Sequence, residues 1–134
     1  MKADSAAAAR TRVLIADDER IIASTLRDIL QGEGFEVRTV HSGAKAIEAA
    51  QLWHPQIFLS DVLLPDLSGV EAAICIRALL PWCRIVLLTA RAASMDLVDE
   101  ARLRGHDFQL LLKPIHPTEL LTCLDGAGPE AARK

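Results

Sequence analysis

Apolar residues in this chain fall into two alternating kinds of run: compact blocks of four to six residues, and longer stretches with apolar positions at helical spacing. Residues 13–16 form the first block. Residues 19–31 follow, with Ile22, Leu26, Ile29 and Leu30 on one side of a predicted helix that Gly32 and Gly34 stop. Residues 35–40 read as a second, more polar strand. Ser42 is placed to cap a helix running to about Leu52, since its hydroxyl can accept from a free N–H of the first turn. Pro55 precedes a third strand at 57–60, and a loop with Pro65 and Gly69 leads into a helix over 70–80 that Pro81 breaks. Residues 84–89 are a fourth strand, followed by a helix over 94–104 ending at Gly105. Residues 108–112 are a fifth strand, and Pro117 opens a last helix that ends near Leu124.

Strict alternation of five strands and five helices predicts one α/β domain, a doubly wound parallel sheet with helices on both faces, over residues 12–124. Parallel strands are buried on both sides, which is why their apolar runs are unbroken. Residues 1–11 and 125–134 read as a frayed segment and a tail. In such folds ligands bind outside the carboxyl ends of the strands, which fixes where chemistry is to be sought.

Composition narrows the classes. The chain has 134 residues, 51% of them hydrophobic and 25% charged, with a net charge of −3 and mixed signs along its length. That excludes a disordered chain and offers no basic stripe for nucleic acid. The apolar runs are too short to span a bilayer and the start does not read as a signal peptide, so no membrane partner is expected. Cys75, Cys83 and Cys123 are odd in number and lack metal-ligand spacing. They are expected to be reduced, mostly buried thiols of a cytoplasmic protein.

The strand ends carry the chemistry. The first strand is followed by Asp17, Asp18 and Glu19, the third by Asp61, the fourth ends in Thr89, and the fifth is followed by Lys113 and Pro114. Crowded carboxylates repel and attract a cation. Mg²⁺ suits them best, since it accepts one or two carboxylates, keeps waters and takes phosphate oxygens. An aspartate in such a site can attack a phosphoryl group, with Lys113 and Thr89 there to meet the charge on the transferred oxygens. Each residue has an ordinary explanation alone: acids favour helix starts, Asp61 could cap a turn, Thr89 could merely end a strand, and Lys113 could be a surface lysine. None of these explains why all converge on one edge.

Four segments carry a resemblance: Val-Leu-Ile-Ala-Asp-Asp-Glu at 13–19, Asp-Val-Leu-Leu-Pro-Asp-Leu-Ser-Gly at 61–69, Leu-Leu-Thr-Ala at 87–90 and Leu-Leu-Lys-Pro at 111–114. In this order and spacing they resemble the receiver domain of bacterial response regulators in two-component signalling, over about residues 13–124. The resemblance implies a flavodoxin-like sheet of order 2-1-3-4-5 and a phosphoryl group accepted on Asp61 in a Mg²⁺-dependent reaction. It implies Asp18 as the main acidic metal ligand, Asp17 as its neighbour acting through water, and the backbone carbonyl of Leu63 as a third protein ligand. Thr89 matches the hydroxyl that moves to the phosphoryl oxygen, and Lys113 the lysine that pairs with it. A cis bond between Lys113 and Pro114 is implied as well. The expected partners are a histidine kinase or histidine phosphotransfer protein and a downstream protein, reached by a monomer or weak homodimer. With no output domain following, a stand-alone receiver is expected. It is no enzyme beyond catalysing its own phosphorylation and dephosphorylation.

The sequence departs from the family at Leu110, where an aromatic ring or histidine usually stands three residues before the lysine. Residues 105–113 also run one residue longer than usual, and Phe108, which shares the strand parity of Leu110, is a candidate to take over part of that ring's role. His41 reads as a loop histidine with no function and His116 as a weak helix cap. Leu110 keeps a second reading open, a pseudo-receiver that binds without being phosphorylated. A dehalogenase-type phosphatase fails, because the residue two past Asp17 is Glu19 and the residue two past Asp61 is Leu63 rather than the required pattern. Leu63 and Arg91 are expected to flank the phosphoryl group and to slow its loss.

Overall fold

The structure, a computed structural model, describes residues 10–90 and 95–124. Residues 1–9 of the expected N-terminal segment, the 125–134 tail, Arg91 and the predicted helix start at Ser94 lie outside the described residues. The described elements are β1 Arg12–Ala16, α1 Arg20–Gly32, β2 Glu36–Val40, α2 Gly43–Trp53, β3 Ile57–Asp61, α3 Gly69–Leu79, β4 Arg84–Thr89, α4 Met95–Leu103, β5 Gln109–Leu112 and α5 Pro117–Leu124. The strands form one sheet of order β2-β1-β3-β4-β5, every pair parallel, as expected for the doubly wound fold.

The period-two alternation of side chains splits each buried strand between two cores. Val13, Ile15, Ile57, Leu59, Val86, Leu88 and Leu111 pack on Ala23, Leu26 and Leu30 of α1 and on Leu120 and Leu124 of α5. Leu14, Phe58, Ile85 and Leu87 pack against α2, α3 and α4 through Ala46, Ala50, Ala73, Ile76, Val98 and Ala101. Each fully buried Leu, Ile or Phe contributes roughly 1.5–3 kcal/mol relative to exposure. The small residues on α2 and α3 let those helices lie close to the sheet.

Local chemistry sets the element ends. α1 runs through Gly32, and the chain reverses at Gly34, whose φ of 97° is in the left-handed region that glycine enters without a Cβ penalty. Ser42 caps α2 as expected, its Oγ accepting from the Lys45 N–H at 3.2 Å. Ser68 does the same for α3, from Glu71 at 3.1 Å. His116 acts as the cap of α5, Nδ1 accepting from the Thr118 N–H at 3.1 Å. Two expectations need correction. Cys75 is exposed, on the outer side of α3, while Cys83 is buried and Cys123 half-buried. β5 begins at Gln109, so Phe108 precedes the ladder. No helix among the described residues is long and apolar enough to cross a membrane.

Candidate functional site

The sheet register brings the acids together. Ala16 pairs with Ser60, so the residues that follow, Asp17 and Asp61, emerge side by side from the middle of the sheet. The Asp17 N–H continues the ladder by donating to the Val40 carbonyl at 3.1 Å. Its side chain is fully buried, at 0% exposure. Oδ1 accepts from the Glu19 N–H at 2.9 Å and Oδ2 from Lys113 Nζ at 3.1 Å. Asp61 is 9% exposed; its Oδ1 accepts from the Leu63 N–H at 3.2 Å and its Oδ2 from Lys113 Nζ at 2.9 Å.

The turn after Asp61 is held by a close approach. The Gly69 N–H donates to the Val62 carbonyl at 2.7 Å, and a Cβ on Gly69 would overlap the Asp61 carbonyl oxygen. Only glycine lets α3 start this near the end of β3.

Lys113 reaches the acids from the far side of β4. Its N–H donates to the Thr89 carbonyl at 2.8 Å, and the Lys113–Pro114 bond is cis. Nζ also lies 4.0 Å from Glu19 Oε1. Thr89 is 1% exposed at the end of β4, beside Leu112 of β5. Burial pushes the Asp17 carboxyl above its ordinary range, against the pull of the Glu19 N–H and the Lys113 ammonium. Burial works to lower Lys113, but its contacts with Asp61 and Asp17 outweigh it, and the ammonium is held charged more firmly than in water. Asp18 is exposed, and one carboxylate oxygen from each of Asp17, Asp18 and Asp61 lies within 4.8 Å of the others. That is a hard, all-oxygen donor set, partly open to solvent, which fits an oxygen-seeking divalent cation such as Mg²⁺.

The structure thus gathers Asp17, Asp18, Asp61, Thr89 and Lys113 at one rim. Leu63 stands next to them and is 44% exposed. Arg91 lies outside the described residues. Leu110 pairs with Leu87 and packs, half-buried, on the α2–α4 side, the side that Thr89 shares by strand parity. Phe108 cannot stand in for an aromatic there. It is buried ahead of β5, stacked on His106 with Arg77 over its ring at 5.4 Å, four residues, or roughly 13 Å of extended chain, before the level of Thr89.

Two residues were missed in the sequence. His41 is no idle loop histidine: its Nδ1 lies 2.9 Å from the Asp17 carbonyl oxygen. Asp66 accepts from the N–H groups of Gly43 and Ala44, both at 2.8 Å, and of Leu67 at 2.8 Å, tying the loop after Asp61 to the start of α2. These N–H donors hold the Asp66 carboxyl below its ordinary range. An Asp at a helix N-terminus is recognisable when it lies in that helix, but Asp66 is 23 residues away from Gly43.

Comparison with known proteins bears on the same region. A family model described as the response regulator receiver domain matches residues 13–125. The DNA-binding response regulator MtrA of Mycobacterium tuberculosis is 32% identical over 112 residues, covering 84% of this chain and 48% of that protein. The transcriptional regulatory protein PdtaR of the same species is 37% identical over 125 residues, covering 91% of this chain and 58% of that protein. The chain therefore spans about half the length of the curated relatives it matches. Among solved structures, the chemotaxis response regulator CheY4 of Vibrio cholerae superposes with a TM-score of 0.77 at 28% identity, covering 88% of this chain and 98% of that one.

Proposed function

The chain belongs to the response regulator receiver domain family, a family of signalling modules, and from that premise we propose that Asp61 is its phosphoacceptor. The domain doing this work is residues 12–124. The observation that carries the reading is the bridge of Lys113 Nζ to Asp17 at 3.1 Å and to Asp61 at 2.9 Å. It marks a cationic donor where a phosphoryl oxygen bonded to Asp61 would need one.

The donor is a phosphohistidine on a histidine kinase or histidine phosphotransfer protein. A carboxylate oxygen of Asp61 attacks phosphorus, the P–N bond breaks, and the histidine nitrogen leaves with the electron pair. The product is an acyl phosphate on Asp61. Lys113 stays charged throughout and donates to a phosphoryl oxygen, while the Thr89 hydroxyl supplies a second donor. Asp17, Asp18, Asp61 and the Leu63 carbonyl would hold Mg²⁺, which when bound offsets the negative charge on the phosphoryl oxygens. The buried Asp17 acts through the orientation imposed by the Glu19 N–H and Lys113. The phosphorylated domain then signals by contacts with a downstream protein in the cytoplasm, and its catalysis is limited to its own phosphorylation and dephosphorylation.

Incubation with acetyl phosphate and Mg²⁺ tests the reading. One acid-stable, base-labile phosphoryl group is expected on the wild type and none on Asp61→Asn. Undiminished labelling of Asp61→Asn removes the assignment, and an unlabelled wild type would favour the pseudo-receiver that Leu110 suggests.

A further inference from the structure

The peptide group between Asp17 and Asp18 is held at a point the proposed chemistry does not use. The Asp17 N–H donates to Val40 and its carbonyl oxygen lies 2.9 Å from His41 Nδ1, so consecutive residues of β2 and its loop grip Asp17 from both sides. A carbonyl oxygen only accepts, so Nδ1 carries the proton in this contact. The peptide group is planar: the carbonyl oxygen of Asp17 and the N and Cα of Asp18 lie in one plane. Orienting that oxygen orients the direction in which Asp18 leaves the sheet. The Asp17 side chain needs no such help, because the Glu19 N–H and Lys113 already hold both its oxygens. Asp18 is exposed, and among the described residues no hydrogen bond holds its carboxylate. His41 is itself held firmly. The turn that follows it is capped by Ser42 and fastened through the Gly43 and Ala44 N–H groups to Asp66, in the loop after Asp61.

The geometry points to His41 as a positioning residue that aims Asp18 at the cation site, by setting the plane of the Asp17–Asp18 peptide. The inference rests on the proposed Mg²⁺ site for its consequence but not for its geometry. Groups that orient metal ligands from behind alter affinity by tenfold or more when removed. Asn places its amide nitrogen where His has Nδ1, so Asn keeps the donor; Gln carries it one carbon further out and Ala removes it.

The experiment uses the full chain and has two readouts. The first is the amide NMR resonance of Asp18 in Mg²⁺-free buffer. It is expected to shift or broaden in His41→Ala and His41→Gln and to stay near the wild-type position in His41→Asn. The second is the Mg²⁺ dissociation constant by calorimetry, expected to rise about tenfold in His41→Ala, with recovery in His41→Asn. Circular dichroism of each variant establishes that it is folded. An Asp18 resonance unmoved in folded His41→Ala, or an equal disturbance in His41→Asn, overturns the inference. A wild type that binds no Mg²⁺ would overturn the metal reading alone, since the first readout is taken without metal.

Discussion

Lys113→Met keeps the length and apolar stem of the side chain and removes its charge, which makes it a sharp probe of the site's electrostatics. In the wild type one ammonium serves two carboxylates, that of Asp17, fully buried, and that of Asp61, nearly so. Removing one partner from a buried ionic cluster costs about 3–5 kcal/mol. The cost has a ceiling, because the folded protein can take up a proton instead. At pH 7, protonating a carboxyl whose ordinary value is 3.8 costs about 4 kcal/mol. The expected loss at pH 7 is therefore about 3–4 kcal/mol, a large share of the 5–15 kcal/mol by which domains of this kind are stable. The sign of the pH dependence follows. Burial already raises Asp17, and losing Lys113 raises it further. The folded state then binds a proton at a pH where the unfolded chain does not, so the deficit shrinks as pH falls toward 3.8. It should be under about 2 kcal/mol at pH 5. Urea unfolding of both proteins at the two pH values, in chelator-treated buffer, measures it. Equal stability at pH 7, or a deficit unchanged between the two, would refute the bridging role of Lys113.

Three further outcomes follow from local geometry. Gly69→Ala should lose about 1–3 kcal/mol in urea unfolding, because the new methyl meets backbone that cannot yield, and should slow phosphorylation by displacing the turn after Asp61. Asp66→Asn should melt below the wild type at neutral pH. Since the folded-state carboxyl sits below its ordinary 3.8, the stabilisation is present above that value, and the gap in melting temperature should close as pH falls below it. Leu63→Asn should hasten decay of the phosphorylated protein after donor removal, because a half-exposed leucine beside Asp61 cannot hold an attacking water by hydrogen bonding and an amide can. An unchanged half-life would place control of the lifetime elsewhere.

The fold was legible because its signals are local. Apolar runs marked the strands apart from the more polar β2, and Ser42, Gly34, Gly105 and Pro117 punctuated them. Asp17, Asp61, Thr89 and Lys113 could be placed at one rim because parallel topology sends every strand's carboxyl end the same way. What escaped the sequence is long-range. The Asp66 cap joins residues 23 apart and the His41 contact joins residues 24 apart, and neither spacing leaves a periodic trace. Phe108 was offered a role by strand parity alone. The ladder places it before β5, too far down the sheet to reach Thr89. Cys75 was misjudged because a helix residue's exposure depends on which face its neighbours cover, and α3 turns that side outward.

The central claim is that Asp61, among several neighbouring acids, forms the acyl phosphate. Reductive trapping tests it most directly: the acetyl phosphate-treated protein is reduced with borohydride, which converts an aspartyl phosphate to homoserine, and the peptides are sequenced by mass spectrometry. The account predicts homoserine at position 61, with Asp17, Asp18 and Asp66 unchanged. Homoserine at any of those positions, with Asp61 intact, would contradict it.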